Sequence, residues 1–155
     1  WITCATNLTA VTASTPVDAS VVIASASPEK SIRFDTNTSF TCYAFNTGVL
    51  RGDNNNNTNG VRGFIDQANY FKSYTNGSSV YTDNTSVTYQ AGSSVALQMG
   101  QWNVGNLLGY IHEVLIFNRE LSIDEYQKAE GYLCWKYGYQ KQLPSSHPYY
   151  WFPPN

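Results

Sequence analysis

Charge is what this 155-residue chain has least of. Lys and Arg number 9, Asp and Glu number 11, together only 13% of the chain, and the formal net charge is −2. Without a basic stripe there is no electrostatic footprint for nucleic acid. No apolar run is long enough to span a bilayer as a helix, so no membrane insertion is expected. Histidine is limited to His112 and His147. The three cysteines, Cys4, Cys42 and Cys134, are an odd number, at spacings that fit no zinc site. Cys4 and Cys42 could be joined in an oxidising compartment, leaving Cys134 free. All three could equally be small buried residues. The first residue is Trp1 and no signal peptide is visible, which reads as a mature product or part of a larger polypeptide.

What the chain does have is aromatics, at 15%, and uncharged polarity from Ser, Thr and Asn. The length suits one domain with a full core. Short β-leaning runs separated by turn residues fill the region before residue 118. Strands are predicted at Val21–Ser25, Ser31–Phe34, Ser39–Phe45, Val61–Asp66, Asn69–Thr75, Ser78–Tyr81, Ser86–Gln90 and Val95–Gly100. Asn76-Gly77 between two of these runs is a strong hairpin signal, because both residues tolerate positive φ. Residues 1–30 are weakly patterned. Within them, Thr12–Pro16 and Ala24–Pro28 read as either edge strand or connecting arm.

The C-terminal third is the most legible. Ile111, Val114, Leu115, Ile116 and Phe117 suit a largely buried strand. Asn118-Arg119-Glu120 breaks it. Ser122 and Glu125 then have capping-box spacing, and Asp124 with Glu125 places negative charge at a helix start. Ile123, Tyr126, Ala129 and Leu133 recur at three- and four-residue steps as one apolar stripe. Lys136 and Gly138 mark the end. The spacing predicts a helix over about 123–137. Beyond it, Pro144, Pro148, Pro153 and Pro154 prevent any further helix. Four consecutive aromatics, Tyr149, Tyr150, Trp151 and Phe152, then need cover from their own domain or from a partner.

These same residues closely resemble the C-terminal end of concanavalin A-like, laminin-G-like lectin domains. The resemblance rests on Gly109, Glu113-Val114, Asn118-Arg119, Leu121-Ser122, the Glu-Gly-Tyr-Leu-Cys-Trp-Lys-Tyr-Gly run from Glu130 to Gly138, and Leu143-Pro-Ser-Ser-His-Pro-Tyr149. It spans about 40 residues strongly, well above short-motif noise. Tyr74–Val80 and Val95–Gly100 extend it more loosely. Cys134 stands where a small residue such as alanine is more usual, which predicts a buried thiol in the helix face. The implied fold is all-β: an antiparallel β-sandwich, the concanavalin A-like jelly roll, over 1–141 with one C-terminal α-helix, followed by an extended tail over 142–155. The version with this helix and tail looks like the one common in proteins of large DNA viruses and phages.

Some folds of this type are glycosidases, and retaining enzymes need two carboxyl groups about 5 Å apart. No such pair is visible on a strand: Glu113 is the only carboxylate in its own. His112 and His147 are isolated in sequence, and no catalytic residue is expected. Asp53, Asn55, Asn57, Asn59 and Asp66 place oxygen ligands where a loop could wrap calcium, the one cation to consider. Only two of these are charged, and a solvated loop explains the stretch as well. Trp102 with Asn103 and Asn106, joined by Asp53, could form a sugar platform in the loop between the last two strands; alternatively Trp102 caps the domain end. Sequons at Asn7, Asn37, Asn56, Asn76 and Asn84 could carry glycans in a secretory pathway.

The expected function is a non-catalytic, lectin-like structural module of a virion surface, fibre or capsid, able to attach to a host glycan. Its partners would be other assembly subunits or copies of itself, through Tyr149–Phe152. The alternative is an extracellular carbohydrate-binding module of a secreted or cell-surface adhesin.

Overall fold

The computed structural model describes the backbone of residues 2–11, 20–25, 29–35, 39–46, 49–52, 59–87, 97–99, 101–102 and 105–155. It describes the side chains of Ile2, 59–87 and 110–155. These residues are mostly strand, paired antiparallel throughout, with one α-helix. In chain order the strands are β1 (Ile2–Val11), β2 (Ser20–Ser25), β3 (Glu29–Asp35), β4 (Ser39–Asn46), β5 (Val49–Gly52), β6 (Gly60–Gln67), β7 (Tyr70–Thr75), β8 (Ser78–Asp83), β9 (Leu97–Met99), β10 (Gln101–Trp102) and β11 (Gly105–Leu115). Helix α1 (Ile123–Tyr137) and a 3-10 turn (Gln140–Gln142) follow. One set of neighbours runs β10-β11-β1-β6-β7-β8 and another β5-β4-β3-β2-β9.

The meander β6-β7-β8 carries the clearest sequence logic. Asn76 and Gly77 adopt φ of 47° and 80°, both left-handed, and close the β7–β8 hairpin as predicted. Alternation then sorts the side chains. Val61, Ile65 and Tyr74 turn toward α1. Phe64 and Phe71 stack with ring centroids 5.4 Å apart, in register with buried Arg62 and Ser73. The Arg62 guanidinium is satisfied by the Tyr74 carbonyl at 3.2 Å and by the Thr75 hydroxyl. Both faces of β6 are therefore buried.

The helix begins and ends where the sequence predicts. The Ser122 hydroxyl accepts from Glu125 N–H at 3.2 Å, and Ser122 N–H donates back to Glu125 at 2.9 Å. Arg119 grips the same carboxylate with two bonds of 2.8 and 2.9 Å. The guanidinium first, with the Ser122 N–H adding to it, holds the Glu125 carboxyl down to about 2. At the other end Gly138 turns left-handed and its N–H donates to Cys134 O. Tyr126, Leu133 and the free thiol Cys134 are buried against Ile2, Val61, Tyr74, Leu121 and Leu143. Full burial of a side chain such as Leu133 contributes about 1.5–3 kcal/mol.

Four expectations need correction. Ile2–Val11, given no strand from sequence, lies between β11 and β6 as a central strand. Val49–Gly52 is likewise a strand that was not expected. The last strand stops at Leu115, and Ile116, Phe117 and the helix-opening Ile123 are exposed rather than buried. Their apolar character carries no directional information beyond the strand end. Ser86 and Val87 are not strand. The rest of the predicted Ser86–Gln90 run, and Val95, Ala96 and Gly100 around β9, lie outside the described residues, as do the Cys4 and Cys42 side chains.

Candidate functional site

Among the described residues, three places bring chemistry-bearing side chains together. The first is a clasp where α1, the β7–β8 turn and the tail meet. Glu130, on the buried face of α1, accepts from Gly77 N–H at 3.2 Å and stands 3.8 Å from His147 Nε2. The two residues are 1% and 5% exposed. Burial raises the Glu130 carboxyl above its ordinary range, against the opposing pull of His147 and the Gly77 N–H. Tyr74 is pushed up to about 12, chiefly by burial and then by the Glu130 charge.

The tail is fastened around this pair. Asn76 donates to Gln142 at 2.7 Å and accepts from Val61 N–H at 2.8 Å. Trp135 Nε1 donates to the Tyr149 carbonyl at 2.7 Å, and Tyr149 N–H donates to His147 Nδ1 at 3.2 Å. Leu143 is buried, and a Cβ on Gly77 would meet Leu143 and His147 at 2.9 Å. The Glu130 and His147 side chains are both closed off from solvent. Their geometry ties three elements together.

The second place is a surface cluster on β11 and α1. Glu113 accepts from Lys136 at 2.8 Å, from Tyr137 at 2.9 Å and from Tyr132 at 3.3 Å. The Lys136 bond is the largest cause of the lowered Glu113 pKa. His112 stacks on Tyr137 with centroids 4.8 Å apart. Neither histidine is isolated in space.

The third is a cleft of about 260 Å³ between the end of β6 and the β11–α1 connection. Ile2, Phe64, Ile65, Leu121 and Tyr126 supply apolar lining, with Phe117 at the surface. Asp66, Gln67, Asn118 and Glu120 add polar groups, and Glu120 accepts from the Tyr70 hydroxyl. Arg119 also lines the cleft, with its guanidinium committed to Glu125. Sequence reasoning missed this site. The available signal was a polar Asn-Arg-Glu block directly after a run whose last residue, Phe117, faces water.

Of the residues expected at sites, Asn59 and Asp66 flank almost the whole of β6 and are not brought together. Asp66 lies six residues along β6 from Gly60, the neighbour of Asn59, which sets the two apart by roughly 20 Å at about 3.3 Å per residue. Asp53, Asn55, Asn57 and Asn103 lie outside the described residues. The backbones of Trp102 and Asn106 pair with Gly105 and Gln101, while their side chains lie outside the description. The aromatic tail divides. Tyr149 and Tyr150 are half-buried, whereas Trp151 and Phe152 are 63% and 76% exposed. Asn76 is buried with its amide engaged, so that sequon is closed to a glycan in the folded chain. No family model, curated protein or solved structure matches this chain.

Proposed function

We propose that this chain is a non-catalytic, lectin-like module of a virion surface, fibre or capsid assembly, attached to its neighbours through its aromatic tail. The proposed architecture is an antiparallel β-sandwich of the concanavalin A-like, laminin-G-like type, clasped by the terminal helix. Burial of both faces of β6 supports two layers there. The observation that carries the docking reading is the contrast within the tail. Residues 142–150 are pinned by hydrogen bonds and burial, so Trp151 and Phe152 are held out on a fixed support. Large aromatics presented rigidly to water are typical anchors of an interface.

Gold-labelled antibody in electron micrographs of particles that contain the chain tests this reading. Surface label is expected, with loss of attachment in the Trp151→Ser/Phe152→Ser variant. Label confined to free protein would overturn it. The second reading, a carbohydrate-binding module of an adhesin, is favoured by the amides of Gln67 and Asn118 beside exposed Phe117. A glycan array with and without calcium, on the parent and on Trp102→Ala and Asn118→Ala, tests it. Uniform non-binding by the parent removes it.

A further inference from the structure

Two exposed apolar features among the described residues, the tail prong and the β6 cleft, are complementary in chemistry. The cleft is built at the start of α1, from Leu121, Tyr126 and the preceding connection. The prong is built beyond its end: Lys141 lies over the rings of Tyr150 and Trp151, at 4.9 and 5.1 Å from their centroids. Trp151 and Phe152 are exposed, and neither is among the residues that line the cleft. The prong therefore does not fill the cleft of its own molecule.

Charge and shape match between them. Lys141 makes no ion pair among the described residues, so the prong presents the exposed Trp151 and Phe152 with one unneutralised cation beside them. The cleft presents an apolar lining with Asp66 and Glu120, its one guanidinium being neutralised by Glu125. At about 260 Å³ it falls just under the roughly 300–1,000 Å³ of clefts that take drug-sized ligands, the scale of an aromatic side chain. Phe117, 39% exposed, offers a ring against which an incoming ring can pack edge-on or offset. In a chain with so little charge, a cation beside the prong and carboxylates at the cleft fix one orientation.

We infer that the prong of one copy inserts into the cleft of a second copy, with Trp151 or Phe152 against Phe117 and Lys141 beside Glu120 and Asp66. The contact is head-to-tail, so it leaves a free prong and a free cleft at the two ends of every pair. Repetition gives a ring or a filament. This inference rests on the docking reading of the tail and names its partner as the chain itself.

Sedimentation velocity on the 155-residue chain over a concentration series tests it. The parent is expected to grow beyond dimer with concentration. Trp151→Ser/Phe152→Ser, lacking the prong, and Phe117→Asp, with the cleft blocked, are each expected to remain monomeric. Mixed, they retain one intact cleft and one intact prong and stop at a one-to-one dimer. Lys141→Glu and Glu120→Lys should each weaken growth at least tenfold, and their combination in one chain should restore it. Trp151, Phe152 and Lys141 are exposed, Phe117 and Glu120 line the cleft beside the core residues Ile2, Leu121 and Tyr126, and unchanged melting temperatures establish that each variant is folded. A parent that stays monomeric, a cleft-blocked variant that still self-associates, or a mixture that forms no dimer overturns the inference. Chain located on particles yet monomeric in solution overturns the self-pairing while leaving attachment to a different subunit in place.

Discussion

Gly131→Ala is predicted to destabilise this protein, although helix propensity argues for the reverse. Gly131 lies within α1, away from either cap, where replacing glycine by alanine ordinarily gains about 1 kcal/mol. Here a Cβ would stand 2.7 Å from Tyr149 Cβ and 2.8 Å from two of its ring carbons. Those atoms are close to the tail backbone, so they cannot swing aside as the end of a flexible chain would. Relief requires the tail to lift. Overpacking of this kind costs about 1–3 kcal/mol. Lifting also stretches the Trp135–Tyr149 bond, which contributes about 1 kcal/mol. The balance is a net loss of about 1–3 kcal/mol, or a fall in melting temperature of roughly 3–10 °C for a chain of this size. Thermal unfolding followed by circular dichroism measures it. The second half of the test is a double-mutant cycle with Tyr149→Gly, which removes both the obstructing Cβ and the ring. In that background the propensity gain should surface and Gly131→Ala should become neutral or stabilising. A stabilising Gly131→Ala in the parent would refute the argument that the tail lies hard on the helix.

Glu130 gives a pH test. Burial raises its folded-state pKa above 4.5, so its contribution is complete below that value and is lost as pH rises through the raised one. The melting temperature of Glu130→Gln relative to the parent should therefore climb with pH, and a pH-independent difference would count against the buried-carboxyl account. Tyr74, pushed up to about 12, behaves likewise: stability is intact below 10.0 and drains away as pH approaches 12. Ultraviolet titration should show a late-ionising phase that loses one tyrosine in Tyr74→Phe; an unchanged late phase in that variant would contradict the assignment. Ser122→Ala should cost about 1 kcal/mol in urea unfolding by removing the cap, and a negligible change would mean that Arg119 and Glu125 suffice to start the helix.

Local chemistry is what the sequence made legible. Ser122, Glu125 and Gly138 sit within a few residues of the backbone groups they satisfy, so α1 could be placed without tertiary information. The same holds for Asn76-Gly77, where positive φ is a property of the two residues alone. Long-range pairing is a different matter. Nothing in the spacing of Glu130, His147 and Gly77 reveals that a helix, a tail and a turn converge. The resemblance singled out the blocks containing Glu130 and His147 without showing that they touch. Ile2–Val11 is rich in Thr, Ala and Asn, so its alternation is too faint to mark a strand that is central by pairing. Ile116 and Phe117 erred in the other direction, because an apolar residue past a strand end can face water and line a cleft. The cleft itself assembles residues from the start of the chain, from β6 and from the stretch that leads into α1.

The way the tail is fastened determines how tension would travel. A pull at Trp151 or Phe152 reaches the body through Tyr149 into Trp135, and through Gln142 into Asn76. Tyr149 lies nearer the pulled end than Gln142, so the hold on the helix is loaded first and the hold on the β6–β7–β8 ribbon second. A tether built this way gives way in two stages, with the ribbon keeping its grip after the helix has let go.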